Sequence, residues 1–316
     1  MRLIDLFAGI GGIRLGFHLA AQQMSLETKY VFSSEWDKFA VKTYEKNFGD
    51  NPYGDITKIN ASDVPDHDIL CAGFPCQAFS HAGKKLGFED TRGTLFFDVA
   101  KIIENKKPKV VFLENVVGLK NHDGGNTFKV ILDTLNNLGY HVKYEILSGK
   151  DFGVPQNRRR LYIVGFLDQE RYNNFVFPDS FETQTVVGDI LDKNVDKKYR
   201  ISKRLWTSHK ERKERNKQNG KGFGYQIVTK DSNYTATLSA RYYKDGSEIL
   251  VKVPHKHTPR KLTPRECARL QGFPESFVIP VSDTQAYKQF GNSVCVPVIK
   301  QIAVKIFEAI GGVKHE

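Results

Sequence analysis

Residues 3–12 read Leu3-Ile4-Asp5-Leu6-Phe7-Ala8-Gly9-Ile10-Gly11-Gly12. The apolar run Leu3 to Phe7 predicts a buried strand, and the glycines after it stand just before a helix predicted over Ile13 to Ala20. Glycine lets a backbone come close to a ligand, and a helix N-terminus offers unpaired N–H groups, so a strand that ends this way can be a binding corner as well as a tight turn. Arg14 stands where the third glycine of a G-x-G-x-x-G dinucleotide fingerprint would be. A pyrophosphate is therefore disfavoured, and a nucleoside without phosphates fits better. Glu35, at the end of the next predicted strand, can take ribose hydroxyls; Trp36 can stack on the base, and Asp55, after Gly54, can reach the base edge.

Working outward, further apolar runs occur at Tyr30 to Ser34, Asp68 to Ala72, Lys109 to Glu114, Val142 to Leu147 and Leu161 to Phe166. Amphipathic stretches such as Leu95 to Asn105 and Thr127 to Leu138 separate them, which predicts a sheet buried on both faces. This is an α/β doubly wound fold with helices on both faces. After Pro178 the chain turns charged and polar, then hairpin-like over Tyr234 to Val251 with Lys244-Asp245-Gly246 at the turn. Helical apolar sequence resumes from Gln285 to Ile310. The expected organisation is one domain from residues 1–178 and 285–316, and a smaller, mainly β or irregular domain over 179–284.

Composition narrows the function. At 316 residues, 40% hydrophobic and 26% charged, the chain has ample material for a core, and no apolar stretch is expected to reach the roughly 20 residues of a membrane span. The first residues run straight into a strand and leave no room for a targeting peptide, so a cytoplasmic location is expected. Cys71, Cys76, Cys267 and Cys295 lack zinc-ligand or disulfide spacing, so no metal is expected; three read as core and one as reactive. The net charge is +11, and eleven Lys or Arg between Lys197 and Lys221 face only Glu211 and Glu214, a local +9. Such a block can be a solvated helix face; followed by the aromatic, glycine-rich Gly220 to Tyr225, it reads as a surface that tracks phosphates.

Three further elements carry chemistry. Cys76 in Gly73-Phe74-Pro75-Cys76-Gln77 follows a strand at the sheet edge where open α/β folds bind ligands, and Ser80 to Gly87 is flexible and basic enough to close over it. Nearby cations would favour the thiolate. Glu114 ends another strand at the same edge, and Gln156-Asn157-Arg158-Arg159-Arg160 opens the strand Leu161 to Phe166. Arginine forks suit phosphate and carbonyl oxygens.

Over nearly its whole length the sequence resembles the DNA cytosine-5 methyltransferase family. The resemblance rests on Asp5-Leu6-Phe7-Ala8-Gly9-x-Gly11-Gly12, Gly73-Phe74-Pro75-Cys76-Gln77, Glu114-Asn115-Val116, Gln156-x-Arg158-x-Arg160, Arg260 to Pro274, and Gln289-Phe290-Gly291-Asn292-Ser293-Val294. It implies a Rossmann-like, S-adenosyl-L-methionine-dependent methyltransferase sheet, a flipped target cytosine, and double-stranded DNA in a cleft beside a target-recognition domain. By that resemblance Cys76 is the nucleophile, Glu114 holds the N3 and amine edge of the cytosine, Arg160 contacts its carbonyl, and Arg158 supports the loop or backbone. The cofactor set is Phe7, Ala8, Gly9, Gly11, Gly12, Glu35, Trp36, Asp55, Ile56, Gly73, Pro75, Leu95, Asn292 and Ser293.

Recognition is expected between about Phe181 and Val253, with Thr237-Leu238 matching a characteristic Thr-Leu pair. Ser80, Thr237 and Arg241 are the expected DNA contacts, with Phe223 or Tyr225 as candidates to fill the vacated stack. The segment resembles those with short CC…GG targets. The family also implies a monomeric, prokaryotic or phage enzyme of the type II restriction-modification kind, with a cognate endonuclease that shares the target without direct contact. A tRNA cytosine methyltransferase on this scaffold would carry a Cys-Phe-Thr tripeptide, which is absent. An inactive DNA binder would have no use for Cys76, Glu114 and the arginines, and an oxidoreductase would need the third glycine.

Overall fold

The computed structural model describes residues 1–75, 95–181, 184–222 and 224–311. The chain forms two compact units, the first taking Met1–Leu147, Arg159–Asp179 and Val298–Glu316, the second Ser148–Arg158 and Ser180–Pro297. Residues 148–158 and 285–297, which the sequence reading put with the sheet, cluster with the second unit.

The first unit begins β1 (Arg2–Leu6), α1 (Gly12–Gln23), β2 (Lys29–Ser34), α2 (Lys38–Phe48), β3 (Ile69–Ala72), α3 (Leu95–Lys106) and β4 (Val110–Val116). It continues α4 (Asn126–Asn137), β5 (His141–Ser148), β6 (Arg159–Phe166) and α5 (Gln169–Asn174). These strands are the six runs expected from the sequence. Their order in the sheet is β2-β1-β3-β4-β6-β5. The first four run parallel, and β6 runs antiparallel to β4.

Both faces of the sheet are buried, which is why its strands read as unbroken apolar runs. Ile4, Leu6, Leu70, Ala72, Val111, Leu113, Leu161 and Ile163 form one face and pack with Phe96, Val99 and Ile103 of α3 and Ile131 and Leu135 of α4. The opposite face carries Phe112, whose ring meets Phe17 of α1 edge-on at 5.4 Å. Phe17 in turn meets Phe307 of the C-terminal helix (Val296–Ala309) at 5.9 Å. That helix approaches so closely that a Cβ on Gly16 would lie 2.5 Å from Ile299 Cβ. The strand order reverses between β1 and β3, the point where open α/β sheets form a crevice beyond the carboxyl ends of their strands.

In the second unit, helices and irregular chain predominate: α6 (Lys203–Gln218), α7 (Tyr242–Asp245), α8 (Pro264–Leu270) and α9 (Asp283–Asn292). Its described strands are the two-residue β7 (Ile227–Val228) and β8 (Leu250–Val251), which pair in parallel. The expected hairpin over Tyr234 to Val251 is therefore replaced. Gly246, at φ 65, ends the α7 turn in the left-handed region instead of turning a hairpin. The buried Tyr242 hydroxyl fixes that turn, donating to Ile249 O and accepting from Leu262 N.

The expectation about membrane spans bears on one segment. Asp283–Ala309 is long and apolar enough in composition to resemble a span. It is two helices separated at Ser293–Cys295, and Val298, Ile299, Ile302, Ala303, Ile306 and Phe307 are fully buried.

Candidate active site

The loop after β1 depends on unusual backbone: Phe7, Gly9 and Gly11 have φ of 56, 55 and 81 degrees. Gly11 cannot carry a side chain without movement, because a Cβ there would sit 2.1 Å from the Phe48 ring. Ala8 N donates to Ser34 O at 2.9 Å and Gly9 N to Glu35 Oε2 at 2.8 Å, joining the loop to the end of β2. Glu35 Oε1 also accepts from Trp36 N at 2.9 Å and Asp37 N at 2.8 Å. Burial raises the Glu35 pKa, and these three N–H groups oppose that shift. A carboxylate has about four lone-pair sites, so this fixed acid retains capacity for a hydroxyl donor.

Trp36 beside it is 79% exposed, a free flat surface. Asp55 caps the helical turn Ile56–Lys58, its Oδ1 accepting from Thr57 N at 3.0 Å and Thr57 Oγ1 at 2.8 Å, which holds its pKa low. The Ile56 side chain points into the core beneath that turn, so its side chain is spent on packing. Gly12 opens α1. An open indole, an oriented carboxylate and a second acid fit a nucleoside with free ribose hydroxyls.

A second group of candidate residues lies one step along the same edge. Leu6, Ala72 and Leu113 are aligned across β1, β3 and β4, so the next rung is Phe7, Gly73 and Glu114. Glu114 Oε1 lies 3.2 Å from Arg160 Nε, with the two side chains 12% and 14% exposed. A Cβ on Gly73 would lie 3.6 Å from Glu114 Oε2 and 3.4 Å from Ile13 Cδ1, ordinary contact distances that place Gly73 directly beside the acid. Asn115 Nδ2 donates to Phe74 O at 2.8 Å in a buried bond that ties the segment before Cys76 to β4. Sequence reading treated Asn115 only as part of a motif; a polar residue within an apolar strand was the available signal for this positioning role. Pro75 is exposed, and Leu95 packs partly into the core at the start of α3. Cys76, Ser80, the expected closing loop to Gly87, and Phe223 lie outside the described residues.

Asp5 sits in the row Asp5–Cys71–Phe112, two residues before Phe7. Its carboxylate is fully buried with neither oxygen hydrogen-bonded. Burial raises its pKa from 3.8 to about 7, against the pull of Arg14. The Cys71 thiol is pushed well up by its own burial and then by Asp5. Cys71, Cys267 and Cys295 are all buried thiols.

The remaining predicted residues belong to the second unit. Arg158 is 2% exposed and donates to Leu238 O at 2.8 Å, Gly291 O at 3.1 Å and Ser293 O. It is thereby a tie between backbone segments, committed to carbonyls and not presented to a substrate. Gln156 is a second tie: its amide donates to Leu270 O at 3.0 Å and Gln271 Oε1 at 3.1 Å while accepting from Leu238 N at 2.8 Å. Thr237 Oγ1 donates to Asn157 O at 2.9 Å, fixing the Thr-Leu pair. Arg241 and Asn292 are exposed, and Ser293 is half-buried.

The basic run divides into a helical turn (Lys197–Tyr199) and α6. Trp206 and Tyr225 meet edge-on at 4.7 Å, with Lys213 Nζ 4.5 Å from the Tyr225 ring centre.

A model of the C-5 cytosine-specific DNA methylase family matches residues 1–308. The chain is 61% identical over 311 residues to the type II methyltransferase M1.ScrFI of Lactococcus lactis subsp. cremoris, covering 98% of this chain and 78% of the relative. It is 57% identical over 313 residues to the type II methyltransferase M.NlaX of Neisseria lactamica, covering 99% and 98%. Among solved structures, the S. pombe Dnmt2 methyltransferase superposes with a TM-score of 0.78 at 22% identity, covering 98% of this chain and 99% of that one, a likeness of fold. These matches establish that the chain belongs to the C-5 cytosine-specific DNA methylase family and is an S-adenosyl-L-methionine-dependent DNA (cytosine-5-)-methyltransferase.

Proposed function

We propose that the enzyme methylates C5 of a flipped cytosine within a short double-stranded DNA sequence, through a covalent bond between Cys76 and C6. The observation that carries this reading is the Glu114–Arg160 pair, with Glu114 on the same rung as Gly73, whose segment leads in sequence to Cys76. S-adenosyl-L-methionine, when bound, supplies an electrophilic methyl group on a sulfonium. Phe7 to Gly12, Glu35, Trp36 and Asp55 are the residues that would hold it, with Gly73, Pro75 and Leu95 on the same unit.

Cytosine C5 is a weak nucleophile, and the protein's task is to raise its electron density. The Cys76 thiolate adds to C6, forming an S–C6 bond and making C5 enamine-like. Glu114 shares its proton with N3 and holds the exocyclic amine, neutralising charge as sulfur adds. Arg160 orients Glu114 and faces the ring carbonyl. After methylation the C5 proton leaves to water, N3 returns its proton to Glu114, the S–C6 bond breaks, and the thiolate is restored. The target base must leave the duplex, at a cost of about a few kcal/mol met by protein contacts.

Arg241, exposed beside the fixed Thr237-Leu238 pair, reads base edges, and the 197–221 run follows the backbone. The type II relatives support a role in restriction-modification, in which a monomer in the cytoplasm protects DNA from an endonuclease sharing its target. Bisulfite sequencing of plasmid DNA from a methylation-free host expressing the chain tests the reading. Protected cytosines confined to one short motif, of the CC…GG type, are expected; complete conversion with soluble protein present would move the substrate to RNA or leave an inactive binder.

A further inference from the structure

A cavity of about 410 Å³ lies wholly within the second unit. One wall is the turn that leads into α6, with Lys197, Arg200 and Lys203; the other is the segment after β8, with His255, Lys256 and His257. The two buried residues lining it are Ile201 and Thr258. None of the lining residues is acidic.

The walls are held by backbone bonds. Arg200 bridges Arg260 in an antiparallel contact, and Ile201 N donates to Pro259 O at 3.1 Å. Arg200 Nη2 donates to Thr258 Oγ1 at 3.3 Å, while its Nε is buried with no hydrogen-bond partner. Lys203 is the first residue of the sixteen-residue α6, so the positive end of that helix adds to the field. Neighbouring Lys198 shows what these cations lack: its Nζ is paired with Asp283 at 2.9 Å. Among the described residues Lys197, Lys203 and Lys256 form no ion pair with a carboxylate.

A preformed hollow that gathers four permanent cations and two imidazoles without a counter-charge is built for an anion. We propose that it binds a phosphate group, whose tetrahedral oxygens suit the lysine, guanidinium and imidazole donors that line it. The phosphate chemistry follows from the cavity alone. Its assignment to a backbone phosphate of bound DNA, in place of a free phosphorylated molecule, rests on the DNA-methylation reading.

The test uses the full chain and the variant Lys197→Gln/Lys256→Gln, which leaves Arg200 and the helix start intact; an unchanged circular-dichroism spectrum and melting temperature verify its fold. In one arm, affinity for a target duplex is measured over a salt series; loss of one or two phosphate contacts flattens the logarithmic slope by about 0.9 each. In the other, inorganic phosphate is titrated without DNA while the imidazole resonances of His255 and His257 are followed. A flattened slope, with phosphate shifts that the duplex competes away, supports the site with DNA as its source. Saturable phosphate shifts, lost in the variant while the slope is unchanged, support it with a free phosphate as the source. An unchanged slope without saturable shifts overturns the proposal. If the unaltered protein binds no duplex, the DNA reading fails, and the phosphate titration alone decides for or against the cavity.

Discussion

Arg160 Nε reaches Glu114 Oε1 at 3.2 Å across a diagonal of the ladder, for Glu114 lies opposite Tyr162 and Arg160 opposite Val116. The position of this acid is thus set by the register of β4 against β6. Replacing Glu114 with Gln keeps the shape but removes the proton donor and the charge partner. Methyl transfer should fall by about 10²–10⁴-fold, the usual worth of a positioned acid, while cofactor affinity is unchanged. Single-turnover transfer at saturating DNA, beside a cofactor titration, checks the split.

Cys76→Ser should retain cofactor and DNA binding and lose methyl transfer, since a hydroxyl at neutral pH is a far weaker nucleophile than a thiolate. Trapping on a duplex containing 5-fluorocytosine should give a covalent complex with the unaltered enzyme and none with the variant. Appreciable turnover by the variant would remove Cys76 as the nucleophile.

Asp5 predicts how stability varies with pH. Its folded-state pKa, about 7, lies above the 3.8 of an unperturbed carboxyl, so the folded state binds the extra proton between those values. Stability from this group is greatest below the lower value and declines as pH rises toward the higher, at up to about 1.4 kcal/mol per unit. Asp5→Asn should therefore melt higher than the parent at pH 8, with the gain shrinking toward pH 5. Parallel melting-temperature curves with a constant offset would show that Asp5 does not titrate there.

The exposed basic face of α6 should be separable from catalysis. Changing Lys210, Lys213 and Lys217 to Gln is expected to weaken duplex binding and reduce the magnitude of its salt slope by up to about 0.9 per lost phosphate contact. A fluorescence-anisotropy salt series measures it, and an unchanged slope would make α6 an ordinary solvated helix.

The sheet was legible because strands buried on both faces must be apolar without interruption, as in Ile69–Ala72 and Val110–Leu113. The loop after β1 was legible because glycines between an apolar strand and a helix signal backbone closed to other residues, and Gly9 and Gly11 have φ of 55 and 81 degrees. The second unit was less so. Its β7–β8 pairing joins Ile227–Val228 to Leu250–Val251 across intervening irregular chain, and no local periodicity announces a two-residue strand. Lys244-Asp245-Gly246 carries turn chemistry that serves a helix end as well as a hairpin. Arg158 and Arg160 carry the same side chain, and only the family resemblance gave them different tasks; two residues separate a buried tie to three carbonyls from the partner of Glu114. Ile56 likewise shares a turn with Asp55, while its side chain serves the core.

The bond from Asn115 to Phe74 O has a mechanical meaning. Glu114 and the anchor of the chain two residues before Cys76 are both referenced to β4, so a displacement of that strand carries acid and anchor together. The strand acts as a shared datum for the spacing between the two. An Asn115→Ala variant would give each its own frame of reference, turning one rigid alignment into two independent tolerances.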